Sequence, residues 1–171
     1  MYRKNVCCFI FTDNLDFLGC VRIDNGQYQC VQGGIEEHEQ NNIVEAGLRE
    51  IKEEIGLLPH DVELVQEIPP PNGDPTVFRY KSKSLRKKYK VIGQEQRILL
   101  FYAPRDIIQK VVVIPPKNLK ARREFERVEW VSMAELCEKC PPSKAHIFKL
   151  VNELALPIAR NYLKITHKNP L

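Results

Sequence analysis

Short apolar runs alternate with polar punctuation along the chain, and the spacing of the apolar positions changes character at residue 42. Lys4 to Phe11 is apolar and β-prone, which predicts a strand. Asp13-Asn14 marks a turn, Phe17 to Ile23 a second strand, and Asp24-Asn25-Gly26 a second turn, so the two strands can close a hairpin. Gln29 to Val31 is a brief extended piece, and Gly33-Gly34 opens a loop. From Asn42 to Ile55 the period becomes helical. Ile43, Ala46, Gly47 and Ile51 share one face, and Asn41 or Asn42 can cap the start. Gly56 and then Pro59 supply the stop.

Beyond the helix, Val62 to Ile68 reads as a strand. Residues 69–75 hold four prolines and predict a loop, because proline is excluded from a ladder interior. Val77 to Tyr80 resumes a strand, whereas Lys81 to Lys90 is basic, poor in apolar residues and predicts an exposed loop. Gln96 to Ala103 is a strand, Lys120 to Glu126 a charged stretch, and Arg127 to Val131 a last short strand. Ser132-Met133-Ala134-Glu135 has the form of a capping box. Ser143 can cap a final helix, which Pro157 ends or kinks. Strands interrupted by three helices predict an α/β fold, a mixed sheet packed between helices. The expected organisation is one domain over 1–156 and a tail over 157–171.

Composition narrows this picture modestly. A chain of 171 residues with 43% hydrophobic content suits one domain with a real core. The net charge of +4 permits anionic substrates without demanding them. No apolar stretch approaches the ~20 residues of a membrane span. The run Val6 to Phe11 is short for a secretory signal and lacks a cleavage site. A cytoplasmic protein without membrane contact is expected, with its six cysteines as reduced thiols. Cys137-x-x-Cys140 has no second pair at metal-ligand spacing and does not point to zinc.

The helix carries the chemistry. Glu50, Glu53 and Glu54 stand at i, i+3 and i+4, hence on one face. Three adjacent carboxylates repel one another, and a hard divalent cation removes that cost. A solvated acidic face neutralised by Arg49 and Lys52 is the alternative. The adjoining glycines, which let backbone approach metal and phosphate closely, favour the metal site.

The segment from Gly33 to Leu57 resembles the Nudix box, Gly-x5-Glu-x7-Arg-Glu-U-x-Glu-Glu-x-Gly-U, with U a large aliphatic residue. Gly33 and Glu39 fit its first half, and Arg49 to Leu57 fit its second half at every position. Nine residues, Gln40 to Leu48, replace the family's seven, which places two extra residues around Gln40 to Asn42. The likeness extends over roughly residues 2 to 155. Tyr2-Arg3-Lys4-Asn5-Val6, Tyr28-Gln29-Cys30-Val31-Gln32-Gly33-Gly34, Phe78-Arg79-Tyr80 and Gly93-Gln94-Glu95-Gln96-Arg97 are similar to the RNA 5′ pyrophosphohydrolase and dinucleoside polyphosphate hydrolase branch. So are Glu124-Phe125 with Trp130-Val131, and Phe148-Lys149. Tyr28, Val31 and Lys81 depart from that branch, which usually has tryptophan, proline and aspartate there.

The resemblance implies a Nudix α/β/α sandwich and hydrolysis of pyrophosphate linkages. The implied substrates are dinucleoside polyphosphates or RNA 5′-triphosphate and diphosphate ends. It implies Mg²⁺, with Mn²⁺ as substitute, held by Glu50, Glu53 and Glu54 with the Gly33 carbonyl. A metal-activated water then attacks phosphorus. Arg49 orients Glu50 or ties the loop. Glu53, Glu54, Glu124 and Arg49 are the implied catalytic residues, the general base being Glu53 or a loop carboxylate, of which Glu124 is the best outside candidate and Glu126 the spare. Arg3, Arg22, Gly34, Tyr80 and Lys149 are implied at the phosphates or base. Phe148 either stacks on a base or packs in the core. The basic stretch from Arg79 to Lys90 either tracks RNA or is a solvated loop. A catalytically weak RNA- or nucleotide-binding module in an RNA-processing complex is the alternative to an enzyme, and protein partners are left unassigned.

Overall fold

The computed structural model describes residues 1–118 and 122–166. Lys120, at the head of the charged stretch, and residues 167–171 of the expected tail lie outside the described residues. In chain order the elements are β1 (Tyr2–Phe11), β2 (Asp16–Arg22), β3 (Tyr28–Gln29), β4 (Val31–Gly34), α1 (Ile43–Ile55), β5 (Glu63–Ile68), β6 (Arg79–Lys81), α2 (Lys83–Tyr89), β7 (Gly93–Tyr102), β8 (Phe125–Ser132), α3 (Met133–Lys139) and α4 (Ala145–Thr166). The strands join in one mixed sheet of order β3-β2-β1-β7-β5. Off this path, β4 pairs with β1, β6 with β7 and β8 with β2.

β1 organises the sheet. It runs parallel to β7 from Tyr2 opposite Gly93 to Phe11 opposite Tyr102. Its other edge is shared by β4, from Asn5 opposite Gly34 to Cys8 opposite Val31. β2 meets β1 only at Phe11 opposite Phe17, so the expected hairpin is reduced to its base. The long partner of β2 is β8.

Alternation along β1 explains the layers. Cys7, Phe9 and Phe11 enter one apolar cluster, and Val6, Cys8 and Ile10 enter another. A strand buried on both faces needs helices on both sides. α1 covers one face through Ile43, Ala46, Ile51 and Ile55. It lies so close that a Cβ on Gly47 would come 2.7 Å from Leu99 Cδ1. α3 and α4 cover the other face, with Phe148, Val151 and Ala155 against Phe9, Ile98 and Leu100. The fold is an α/β/α sandwich, and no helix among the described residues is long and apolar enough to cross a membrane.

Besides the reduced hairpin, Gly33-Gly34 ends strand β4 rather than opening a loop, Val77 and Phe78 lie in a 3-10 turn before β6, and four larger features differ from the sequence expectation. First, Lys83 to Tyr89 is a helix rather than part of a loop, so the described residues hold four α-helices and not three. Ser82 caps it by accepting from the Leu85 amide at 3.3 Å, and lysine and arginine are good helix formers. The helix lacks an apolar period because only Ser82 and Leu85 at its start are half-buried. Second, α4 does not stop at Pro157 but runs on to Thr166. Ala155, Ala159 and Leu163 are all buried in the same cluster, which holds both halves of the helix in place. Third, Ser143 sits inside a single 3-10 turn, Pro142–Lys144, and α4 begins after it. Fourth, Cys7 and Cys30 are joined as a disulfide, which corrects the expectation of six reduced thiols. The pairing of β1 with β4 brings Cys30, the residue before β4, beside β1, and their Cα atoms stand 6.6 Å apart. Cys8, Cys20, Cys137 and Cys140 are free.

Candidate active site

The site is built where β4 feeds α1. Asn42 caps α1 by accepting from the Glu45 amide at 3.1 Å, and Gly56 closes it at φ 71°. These two ends hold the helix in register with the Gly33-Gly34 strand. Arg49 is the tie between them. Its Nε and Nη2 donate to the two oxygens of Glu39 at 2.7 and 2.8 Å. Its Nη1 donates to Glu50 at 2.7 Å and to Glu53 at 3.3 Å, and Nη2 also reaches the Gly34 carbonyl at 3.0 Å. One planar guanidinium thus hydrogen-bonds to three carboxylates and anchors the loop. Glu39 is fully buried in this arrangement, and Arg49 holds its carboxyl below the usual range. The extra residues sit in the turn between the Glu37–Glu39 segment and Asn42, and Glu39 still reaches Arg49 across them.

Glu50 and Glu54 turn inward. The Glu50 carboxyl lies directly against Gly33, where any Cβ would collide with it. Glu54 accepts from the Gln32 amide at 3.4 Å. Burial pushes Glu50 up to about 7 and Glu54 well above the carboxylate range, with the Glu50 charge adding to the effect on Glu54. Glu53 is exposed beside Arg49. Glu50 is buried and Glu54 half-buried, and the Glu50 charge raises Glu54; a divalent cation relieves such crowding, and an all-oxygen donor set suits Mg²⁺ or Mn²⁺. A second group, Glu36, His38 and Glu39, has ligand atoms within 4.8 Å of one another. Both Glu39 oxygens there are already committed to Arg49.

A cavity of about 170 Å³ opens beside Glu54, walled by Arg3, Arg22, Gln32, Gly33 and Glu124. Arg3 lies against Gly34, where a Cβ would have to push its guanidinium aside. Arg22 is forked onto Asp24 at 2.9 and 2.8 Å. Glu124 enters the cavity from just before β8, and its charge helps raise Glu54. Glu126 is exposed and pairs with Arg127 at 3.3 Å, away from this cavity.

A second cavity of about 280 Å³ continues the first through Arg22, Gln29, Gln32 and Gln94, and reaches Tyr80 and Lys144. The Tyr80 hydroxyl accepts from Gln94 Nε2 at 2.6 Å, so the buried ring is a wall of this cavity. Lys144 was not anticipated. It is buried, donates to Gln29 Oε1 at 3.2 Å and lies 4.6 Å over the Tyr80 ring. Burial, and then the nearby Arg22 charge, lower its ammonium to about 7. The glutamines were also unassigned. Gln96 Nε2 links Asn5 and Gln32 at 2.8 and 2.7 Å, and Gln94 Oε1 is buried without a partner among the described residues. The motifs containing Gln29, Gln32, Gln94 and Gln96 were visible in the sequence, but nothing local marked their side chains as convergent.

Two expected substrate residues lie elsewhere. Phe148 is buried edge-on to Phe9, ring centres 5.4 Å apart, so its place is the core. Lys149 is the next residue on α4, about 100° around the helix, and is exposed outside both cavities. Lys144, one turn before Phe148, is the lysine that faces the site.

Comparison with known proteins agrees with this geometry. Over 158 residues the chain is 30% identical to Nudix hydrolase 25 of Arabidopsis thaliana, covering 88% of this chain and 83% of that one. It is 30% identical over 135 residues to the RNA pyrophosphohydrolase of Acinetobacter baylyi, covering 77% and 74%. It is 34% identical over 101 residues to that of Marinomonas sp., where the match spans 58% of this chain and 59% of the relative. Among solved structures, the Ap4A hydrolase of C. elegans superposes with a TM-score of 0.56 at 12% identity, covering 95% of this chain and 99% of that one. That likeness is one of fold. The family model described as the NUDIX domain matches residues 1–153, and the chain belongs to the NUDIX family of hydrolases.

Proposed function

We propose that the protein is a Mg²⁺-dependent pyrophosphohydrolase acting on RNA 5′-triphosphate or diphosphate ends or on dinucleoside polyphosphates. The observation that carries this reading is the Glu50–Glu54 pair, Glu50 buried and Glu54 half-buried, set beside a cavity walled by Arg3 and Arg22 and continued by Lys144. Carboxylates on one side and cations on the other match a divalent metal and the polyphosphate it escorts. Glu50, Glu54 and the Gly33 carbonyl hold the metal, with Glu53 at its exposed side. When bound, the metal neutralises phosphate charge and acidifies a water. Mn²⁺ serves in place of Mg²⁺.

The remaining roles fall to the chain's own residues. Glu124 shares the cavity with Glu54, whereas Glu53 is held outside by Arg49, so Glu124 is assigned the general base. Arg3, Arg22 and Lys144 orient the phosphate oxygens. Gln94, whose buried carbonyl oxygen is unmet, accepts from the nucleoside. Arg49 is a positioning residue that touches no substrate. The relatives named RNA pyrophosphohydrolase support the RNA 5′ end as partner, and the cytoplasm is the compartment assigned with it.

The test is parallel turnover of 5′-triphosphorylated RNA and diadenosine tetraphosphate with Mg²⁺, with EDTA as control. Hydrolysis of either, abolished by EDTA, is expected. Tight nucleotide binding in EDTA with no product under Mg²⁺ would replace the enzyme with a binding module.

A further inference from the structure

Beyond the second cavity the molecule opens into a third, of about 1110 Å³, which meets the second at Ser82, Ser84 and Ser143. Its walls include Lys81, Lys83, Arg86 and Lys90, from α2 and its flanks, with Val91 and Ile92 beside them. The three cavities form one trough that starts at Glu54 and ends along α2. The segment from Lys81 to Lys90 carries six cations and no acid, against a net charge of +4 for the whole chain. The remainder is therefore net acidic, and the positive charge is concentrated at this end of the trough. None of the six cations makes an ion pair among the described residues, and all are exposed. A contact links α2 back to the site: the Arg3 guanidinium stacks 4.4 Å above the Tyr89 ring.

We propose that α2 and this trough form a track for the body of a single-stranded RNA whose 5′ phosphates occupy the candidate active site. The inference rests on the pyrophosphohydrolase reading for what enters the first cavity. Three features select this occupant, and two alternatives fit less well. The trough is continuous with a phosphate site, so its ligand is joined to the substrate. Unpaired lysines and arginine beside serine hydroxyls match successive backbone phosphates. Tyr89, half-exposed, offers a ring at which a base can stack. A membrane surface would need an apolar face on α2, and Leu85 alone does not make one. A dinucleoside polyphosphate has only one polyphosphate bridge and leaves the cations of α2 unused.

The test is a binding measurement that needs neither metal nor hydrolysis. The probe is a 3′-fluorescent, 5′-hydroxyl RNA of about 12 nucleotides, within the site sizes of single-strand binders, read by anisotropy in EDTA. Lys83→Gln with Arg86→Gln is compared with Arg160→Gln with Lys164→Gln on α4, and circular dichroism confirms that both fold. The α2 variant should bind at least about fivefold more weakly, with a log–log salt slope smaller by roughly 0.7 per charge removed. The α4 variant should match wild type, and diadenosine tetraphosphate should bind all three proteins alike. Equal RNA binding by wild type and the α2 variant overturns the track. Equal losses in both variants, or a matching loss for diadenosine tetraphosphate, also overturn it. Because the probe has no anhydride, absent turnover would sink only the proposed reaction.

Discussion

Helices α1 and α2 are both dense in charge and treat it in opposite ways. On α1, Arg49 gathers Glu39, Glu50 and Glu53 into one hydrogen-bonded unit, and Glu54 is turned into the interior. On α2 the cations are exposed and form no ion pairs among the described residues. Charge that must be held in one geometry is tied down and desolvated. Charge that, on the proposed reading, meets a flexible RNA is left in water, where ordering it early would have no return. The same residue classes thus do positioning work on one helix and long-range attraction on the other.

The comparison breaks most sharply at Glu54. Glu54→Gln should lower kcat by at least ~10³-fold, the scale of a lost electrostatic contribution at a reacting centre. The melting temperature should hold or rise, because a buried charge is removed. Normal turnover in that variant would end the metal assignment. Arg49→Met comes next. It leaves the buried Glu39 carboxylate without its partner and should cost about 3–5 kcal/mol of stability by urea unfolding. Arg49→Lys should recover little of it, since an ammonium cannot fork onto Glu39 while reaching Gly34. Full recovery by lysine would reduce Arg49 to a point charge.

Lys144→Met should raise KM for polyphosphate substrates about tenfold, the worth of one charge-assisted hydrogen bond. It should also change stability against pH. The folded ammonium sits near 7 instead of 10.5, so the folded chain binds fewer protons than the unfolded chain between those values. Wild-type stability therefore gains as pH climbs through that window, and the methionine variant should lose this gain. Identical stability profiles would mean that Lys144 is not desolvated in solution. The mildest effect concerns metal affinity. Protons compete for Glu50 and Glu54, whose carboxyls are raised, so Mg²⁺ should bind several-fold more weakly at pH about 6 than at about 8. Calorimetry at the two values would show it, and a flat profile would place the cation elsewhere.

The two helices also differ in how openly the sequence announces them. α1 carries an apolar period, an asparagine cap and a glycine stop, all local signals that survive into the structure. α2 has a serine cap but no apolar stripe, because it docks through the half-buried Leu85 and little else, so its pattern resembles that of a loop. Local signals likewise place Glu50 and Glu54 on one face. They say nothing of Lys144, whose burial is decided by Gln29 and Tyr80, more than sixty positions away in sequence. Phe148 illustrates the converse. An aromatic beside a lysine reads equally as base-stacking or as core, and only the register of α4 against Phe9 decides for core. The Cys7–Cys30 bridge depends on strand pairing and has no sequence signature of its own.

β1 has a consequence for what insertions the protein tolerates. One strand carries Arg3 and Asn5 at the site, and Cys7, Phe9 and Phe11 in the core beneath it, all on a single face. Catalytic end and hydrophobic floor are therefore graduations on one ruler. Two extra residues near Gln40 are absorbed in a turn, since nothing downstream changes face. A single residue gained or lost between Asn5 and Phe9 would turn the ruler over. It would either bring Lys4 to the mouth of the cavity or, with that end held, exchange the linings of the two apolar layers. Extra length is thus absorbed in the connection before α1 but not in β1, where restoring the face of one half shifts the other.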